Sequence, residues 1–179
     1  MSHNYYSEIN LHLTWHTKES SPLLTERVEP LAHRYVRQKI VNTAGVFVHE
    51  IGGTETHIHV AVSVPPTLLI SEFVGQLKGA SSHEVNKQLS LHGTALQWQA
   101  GYGVVSFGTG DLDWVKQYIR DQREHHAQGK THDRLERITE LESEHDRSPV
   151  NGLLFYTNIV SASASGPNTC QQRVMSCNR

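Results

Sequence analysis

Residues 56–64 read Thr-His-Ile-His-Val-Ala-Val-Ser-Val and give the strongest local signal in the chain. Apolar side chains occupy every second position from Ile58 to Val64, and successive side chains of a strand point to opposite faces. The pattern therefore predicts a strand whose apolar face packs against helices. His57 and His59 would project together from the opposite face.

A His-x-His pair on one face of a strand is a two-point imidazole clamp that suits a divalent metal ion. The same spacing also fits two solvated histidines on an exposed sheet face. The motif by itself leaves both interpretations open, so other parts of the chain must decide between them.

Alternation and turn residues predict three more strands around this one, with Gly52–Gly53 as a hairpin signal. The four predicted strands span residues 8–15, 46–51, 56–64 and 102–107. Apolar residues at helical spacing predict helices over 23–42, 70–89, 111–127 and 131–144, with Asp111 as an N-cap. This order predicts an α+β fold of the ferredoxin-like or RRM-like type, an antiparallel sheet with helices packed mainly on one face.

The length of the chain predicts one domain, a catalytic domain over residues 1–147. Residues 148–160 are apolar but ambiguous, and residues 161–179 have the composition of a disordered tail. Cys170 and Cys177 fall in that tail, so neither a structural disulfide nor a thiolate metal site is expected.

The charge balance excludes a generic, strongly basic nucleic-acid binder, because the chain carries a net charge of −2. Without the two arginines of the tail, 14 basic residues face 18 acidic ones, a net charge of −4. Any nucleic-acid contact must therefore come from a local surface. The chain has neither a long apolar run nor a basic, apolar N-terminal signal, so a cytoplasmic protein without a membrane partner is expected.

A second candidate site lies in the predicted helix 111–127. Tyr118 and Gln122 are four residues apart and share one helical face. A hydroxyl and an amide oxygen would then point together into a cleft at the sheet edge. The alternative is a boundary tyrosine that packs its ring and leaves its hydroxyl in water.

Together these residues resemble a known family. His57-Ile58-His59 and a downstream Tyr118 have the form of the HUH single-tyrosine transposases of bacterial insertion sequences, the IS200-like family. The similarity covers about residues 8–145. Further segments follow in family order: His12-Leu13-Thr14-Trp15-His16-Thr17-Lys18, Gly52-Gly53, Val64-Pro65-Pro66, Gly75-Gln76-Leu77-Lys78-Gly79 with Ser81-Ser82, Trp98-Gln99 with Gly101-Tyr102-Gly103, and Tyr118-Ile119 with Gln122 and His125-His126.

The resemblance implies a DNA transposase from a bacterium or archaeon that cleaves and rejoins single-stranded DNA. Tyr118 would form a 5′-phosphotyrosine, and the DNA would carry hairpins near the ends of the element. A divalent metal, Mg²⁺ or Mn²⁺, would be held by His57, His59 and Gln122, with His125 as the rival third ligand. A homodimer is implied, because an element with two ends needs two active sites.

DNA contacts are predicted from Lys78, Lys87 and Arg120, and Lys78 is favoured because it lies in a family-like segment. Trp98 or Tyr102 could stack on bases or could belong to the core. Further candidate cations are Arg34, Arg37, Lys39, Lys116 and Arg123.

Three other functions stay open at this point. One is a domesticated relative that processes repeated hairpins, and another is a non-catalytic single-stranded nucleic-acid-binding module. A metal-dependent hydrolase is disfavoured, because the sequence has no carboxylate-rich metal set.

Overall fold

The computed structural model describes residues 6–90 and 95–138. Four antiparallel strands form one sheet in the spatial order β2-β3-β1-β4. The strands are β1 (Asn10–His16), β2 (Phe47–Gly53), β3 (His57–Ser63) and β4 (Gly103–Phe107). The helices are α1 (Glu29–Val41), α2 (Ile70–Leu89), α3 (Leu112–Arg120), α4 (Gln122–Gln128) and α5 (Asp133–Glu136). The predicted α+β fold with an antiparallel sheet is confirmed.

The register of the central strand pair brings histidines together. His16 lies opposite His57 and Thr14 lies opposite His59 across the β1–β3 ladder, and His12 lies two pairs further along, opposite Ala61. Residues that lie opposite each other on antiparallel strands share a face of the sheet. All four histidines therefore project from the same face, which the alternation of residues 56–64 predicts for His57 and His59.

The other face of the sheet forms the main core with α1 and α2. Its largest fully buried side chains include Leu13, Trp15, Ile58 and Leu77. Burying one such side chain stabilises the fold by roughly 1.5–3 kcal/mol. Leu13, Trp15 and Ile58 lie at the apolar positions of the alternating strands, so the period-two pattern predicts which face of the sheet the long helices cover. Leu77 packs against that face from α2.

The three short helices lie on the histidine face. Val115 and Ile119 of α3 pack against Ala61, the one apolar residue that β3 places on this face. A side chain on Gly52 of β2 would lie 2.4 Å from the Ile119 carbonyl oxygen. The glycine therefore allows the C-terminal end of α3, and with it Tyr118, to lie directly on the sheet.

Two predicted helix boundaries differ from the structure. The helix predicted over 23–42 begins only at Glu29. The Leu24 N–H donates a hydrogen bond of 3.0 Å to the carbonyl oxygen of Glu55 in the β2–β3 turn, which holds this segment out of the helix. Pro30 then lies in the first turn, where its missing N–H costs nothing.

The predicted helix 111–127 is broken at Asp121, whose backbone angles (φ −91°, ψ 14°) are not helical. Asp111 stands at the N-cap position of α3 but makes no side-chain capping hydrogen bond. The helix predicted over 131–144 is four residues long where it is described, because Arg137 is extended. The domain boundary at 147/148, the segment 148–160 and the tail 161–179 lie outside the described residues. No helix in the described ranges is long and apolar enough to cross a membrane.

Candidate active site

The two strand histidines are held by their Nδ1 atoms. The hydroxyl oxygens of Thr54 and Thr56, in the β2–β3 turn, lie 2.9 and 3.0 Å from His57 Nδ1. His12 Nε2 lies 2.8 Å from His59 Nδ1. Such contacts orient an imidazole ring and leave its other nitrogen for a ligand. The Nε2 atoms of His57 and His59 consequently face the same small volume.

That volume is occupied by the carboxylate of Glu136, at the end of α5. Its Oε2 lies 3.4 Å from His59 Nε2 and 3.7 Å from His57 Nε2. The same oxygen lies 3.6 Å from Nε2 of His126. The sequence analysis missed both Glu136 and His126. Glu136 lies in a charged segment with no spacing that links it to the strand motif. His126 belongs to the His125-His126 pair, of which helical spacing places only His125 on the face of Tyr118.

Tyr118 lies on the other side of this carboxylate. Its hydroxyl donates a hydrogen bond of 2.5 Å to Glu136 Oε1 and accepts one of 2.9 Å from the backbone N–H of His132. The side chain as a whole is 5% exposed. Burial and the hydrogen bond to Glu136 raise the pKa of Tyr118 to about 12, although the His132 N–H opposes that shift. The hydroxyl is therefore protonated at neutral pH and held in one orientation.

Burial also governs the charges of the cluster. It lowers the pKa of His57 to about 3, with a further lowering from the neighbouring His59, so this imidazole is neutral at pH 7. Burial alone would raise the pKa of the Glu136 carboxyl. The neighbouring His59, Tyr118 and His57 outweigh it and hold that pKa well below its usual range. The cluster thus places the neutral imidazole of His57 beside the carboxylate of Glu136, and each is in the protonation state in which it can bind a metal ion.

Gln122, the predicted third ligand, is fully buried in the same cluster. Its Oε1 lies 3.5 Å from His57 Nε2, and its amide nitrogen donates a hydrogen bond of 3.4 Å to the carbonyl oxygen of Tyr118. The structure therefore brings Gln122 together with His57 and Tyr118, and it adds Glu136 as a second oxygen donor.

His125, the predicted rival of Gln122, lies elsewhere. Its ring stacks on the ring of Tyr118, with centroids 4.8 Å apart and planes at 22°. The next residue, His126, lies against His57 with ring centroids 4.7 Å apart. The helix breaks at Asp121, so positions counted along one continuous helix do not predict that His126 is the histidine beside His57.

The donor set fits a divalent metal ion. His57, His126 and Glu136 offer ligand atoms that all lie within 4.8 Å of one another. His59 Nε2 is buried and lies 3.4 Å from Glu136 Oε2, but it makes no well-aligned hydrogen bond among the described residues. Its lone pair would therefore gain a well-aligned partner if an ion bound there. Imidazole nitrogens with carboxylate and amide oxygens form a mixed N/O ligand set.

The predicted DNA-contacting cations are distributed over both sides of the sheet. Arg120 pairs with Glu50, with Nε 2.7 Å from the carboxylate, and remains half-exposed. Lys87 is exposed on α2, which packs on the face opposite Tyr118. The Lys78 ammonium, also on α2, donates to the backbone carbonyls of Gln99, Ala100 and Gly101. Lys78 thus has a structural role in holding that loop, and burial lowers its pKa.

Two of the further candidate cations form ion pairs within the chain. Arg123 pairs with both Glu29 and Glu55, and Lys116 pairs with Asp113. Exposed ion pairs of this kind contribute little to stability and leave the cation free to exchange partners.

Trp98 and Tyr102, the predicted stacking residues, pack against the main core on the side of α1 and α2. Trp98 meets Trp15 edge to face at 6.0 Å, and its indole N–H donates to Ser81 Oγ at 3.0 Å. Both aromatic residues are partly buried. Their positions support the interpretation that they belong to the core.

Comparison with known proteins adds a family and two similar folds. A family model described as transposase, IS200 like, matches residues 5–122. The crystal structure of a candidate transposase from Deinococcus radiodurans R1 has a TM-score of 0.53 and 24% identity, and the match covers 68% of this chain and 96% of that one. The structure of a REP-associated tyrosine transposase bound to a REP hairpin has a TM-score of 0.50 and 16% identity, covering 73% of this chain and 75% of that one. No curated protein matches.

Proposed function

Because this chain belongs to the IS200-like transposase family, we propose that it cleaves and rejoins single-stranded DNA through a covalent bond to Tyr118. One observation carries the proposal. The Tyr118 hydroxyl and the Nε2 atoms of His57 and His59 all face a single carboxylate, that of Glu136. A nucleophile and a set of metal-ligating atoms therefore share one small volume.

The proposed cofactor is a divalent metal ion, Mg²⁺ or Mn²⁺. His57, His59 and Gln122 would hold it, as the family resemblance implies, and the geometry supports Glu136 as a further ligand. His126 is near enough to contribute as well. When bound, such an ion polarises a phosphate oxygen and aligns the phosphate for attack.

In the proposed cleavage step the Tyr118 oxygen attacks a DNA phosphate, and the bond to the 3′-oxygen breaks. The 3′-oxygen leaves with the bonding electrons and takes up a proton, while Tyr118 loses one and becomes a 5′-phosphotyrosine. Glu136 orients the hydroxyl by accepting its hydrogen bond. The His132 N–H donates to the same oxygen and stabilises the negative charge that develops on it.

Rejoining reverses this chemistry with a different strand. The 3′-hydroxyl of another DNA end attacks the phosphotyrosine, the new phosphodiester forms and the Tyr118 oxygen takes back a proton. The covalent intermediate conserves the reactive phosphodiester, so joining needs no nucleotide hydrolysis.

Three further parts of the proposal concern partners and location. Hairpin recognition is proposed from the family resemblance. A protein of similar fold, the REP-associated tyrosine transposase, was solved bound to a REP hairpin. A homodimer is proposed because each chain has one nucleophile and an element has two ends. The proposed location is the cytoplasm of a bacterium or archaeon.

Incubation of the protein with single-stranded hairpin DNA and Mn²⁺ tests the central proposal. We expect cleavage and a covalent protein–DNA adduct to occur together, and Tyr118→Phe to abolish both while retaining DNA binding. An adduct that persists in Tyr118→Phe would identify a different nucleophile. Cleavage without an adduct in the unsubstituted protein would indicate attack by water and a nuclease.

Sedimentation at micromolar concentration tests the homodimer. A single species at the mass of one chain, 20.1 kDa, with and without DNA, would contradict it.

A further inference from the structure

Trp114 is the only tryptophan among the described residues whose side chain is largely open to solvent, at 51% exposed. It lies one helical turn before Tyr118 on α3, and the two rings stack with centroids 5.6 Å apart and planes at 20°. The edge of His132 meets the indole at 5.5 Å. One side of the indole is therefore supported by the nucleophile's own ring, and about half of its surface is free.

The surroundings of Trp114 are polar and include a cation. Trp114 and Tyr118 line a cleft together with Gln117, Asp121, His125, Lys130, Thr131 and His132. The Asp121 carboxylate accepts hydrogen bonds from the Gln117 side-chain amide, at 3.0 and 2.8 Å. Lys130 is exposed, so its ammonium can reach a ligand in the cleft. A flat aromatic face, a cation and amide or hydroxyl groups are the components with which proteins bind a nucleotide of a single strand.

The cleft lies next to the candidate nucleophile, and this position indicates which nucleotide of a bound strand it would hold. A phosphate under attack must lie about 3–3.5 Å from the Tyr118 oxygen. Successive nucleotides of a strand are spaced by about 3.4 Å in B-form DNA and by more in an extended strand. An aromatic ring 5.6 Å from the Tyr118 ring is therefore within reach of the nucleotide that flanks that phosphate.

We infer that Trp114 is a stacking platform for one nucleobase of single-stranded DNA, next to the phosphate that Tyr118 attacks, with Lys130 at the neighbouring backbone phosphate. This inference rests on the proposed function and adds a binding subsite to it. Stacking on an aromatic ring tolerates any base, so the subsite favours unpaired over paired nucleotides without specifying a sequence. It also positions the strand, because a base fixed on Trp114 limits where the adjacent phosphate can lie.

Binding is measured in the Tyr118→Phe background, which prevents cleavage, with a short thymidine oligonucleotide and a strand of the same length that lacks bases. We expect Trp114→Ala to weaken binding of the thymidine strand about tenfold, the usual range for loss of one stacked base. The strand without bases should bind equally well with and without Trp114→Ala. Phe47→Ala is the matched control, because Phe47 is also an exposed aromatic residue, 64% exposed, and lies on β2.

Trp114→Phe provides a second measurement that does not depend on the folding of Trp114→Ala. It keeps an aromatic face, so binding should stay within about threefold of the parent. Quenching of tryptophan fluorescence by the thymidine strand should disappear, since Trp15 is buried and Trp98 packs in the core. Retained quenching, or equal losses for both strands in Trp114→Ala, would overturn the inference.

The adduct assay separates this inference from the proposed function. If the unsubstituted protein forms the adduct and Trp114→Ala binds the thymidine strand normally, only the stacking subsite is refuted. If the unsubstituted protein neither binds single strands nor forms an adduct, the proposed function fails, and the subsite fails with it.

Discussion

The Tyr118 hydroxyl and the Glu136 carboxylate form a hydrogen bond of 2.5 Å between two helices of the histidine face. The second oxygen of the same carboxylate faces His57 and His59. One acidic side chain therefore connects the candidate nucleophile with the candidate metal ligands. Glu136 is the residue that distinguishes this site from the predicted one, which contained only two histidines and Gln122 as metal ligands.

Glu136→Gln should weaken the binding of Mn²⁺ by about tenfold or more, because it removes the negative charge that, among the residues the structure describes, faces the imidazoles. Isothermal titration calorimetry on the folded protein measures this directly. Gln122→Ala is the matched comparison, since it removes an oxygen 3.5 Å from His57 Nε2. Loss of Mn²⁺ affinity in Gln122→Ala with none in Glu136→Gln would restore the ligand set predicted from sequence and exclude Glu136.

Gly103→Ala should slow adduct formation without preventing folding. A side chain at Gly103 on β4 would lie 2.2 Å from the carbonyl oxygen of Arg137, the residue after Glu136. The backbone of this segment must then move, which shifts Glu136 away from Tyr118. We expect a rate loss on the order of 100-fold, the size that a misplacement of about 1 Å can cause.

The control for this substitution is Gly79→Ala. Gly79 lies in the interior of α2, and an added side chain there would meet no atom within 4 Å. Alanine is favoured over glycine in a helix by about 1 kcal/mol, so the melting temperature should not fall. Equal adduct rates in Gly103→Ala and Gly79→Ala would show that the position of Arg137 does not control the site.

The stability of the protein should decrease as the pH falls below about 6.5, partly because of His33 on α1. Burial, together with the charges of Arg37 and Arg123, lowers the pKa of His33 from 6.5 to about 4, and Glu29 Oε1 lies 4.0 Å away. The unfolded chain therefore binds the proton more readily than the folded one. The stabilisation is present above the unfolded pKa and is lost between about pH 6.5 and pH 4.

His33→Gln removes this titration. The loss in free energy of unfolding between about pH 7 and pH 5 should be smaller in the variant by on the order of 1 kcal/mol. Urea denaturation at the two pH values measures the difference. Identical pH dependence in both proteins would mean that His33 is not held neutral by the fold.

Deletion of residues 161–179 should leave both folding and adduct formation intact. The composition of this segment cannot bury enough apolar surface to offset the loss of chain entropy on ordering. Expression, thermal unfolding and the adduct assay on the shortened chain test this. Insoluble or inactive product would show that the segment packs on the domain.

Much of the fold follows from local patterns. Alternation in residues 56–64 predicts which side of β3 carries His57 and His59, because strand geometry alone sends successive side chains to opposite faces. The same rule, applied to β1, predicts the face of Leu13 and Trp15. Helical spacing also predicts that Tyr118 and Gln122 lie together, and the structure places both in the buried cluster.

Other features of the site depend on packing between distant segments. Periodicity within one element predicts the strand faces, the approximate helices, the His57/His59 pair on β3 and the Tyr118/Gln122 pair on one helical face. The resemblance to the transposase family alone implies that these two pairs belong to one site. Three outcomes come from the tertiary structure alone. The Glu136 carboxylate lies beside the strand histidines, and His126 rather than His125 faces the same carboxylate. The Lys78 ammonium donates its hydrogen bonds to backbone carbonyls. Those outcomes depend on the helix break at Asp121 and on the close approach of Arg137 to Gly103. Neither feature can be predicted from the spacing of residues within one helix or strand.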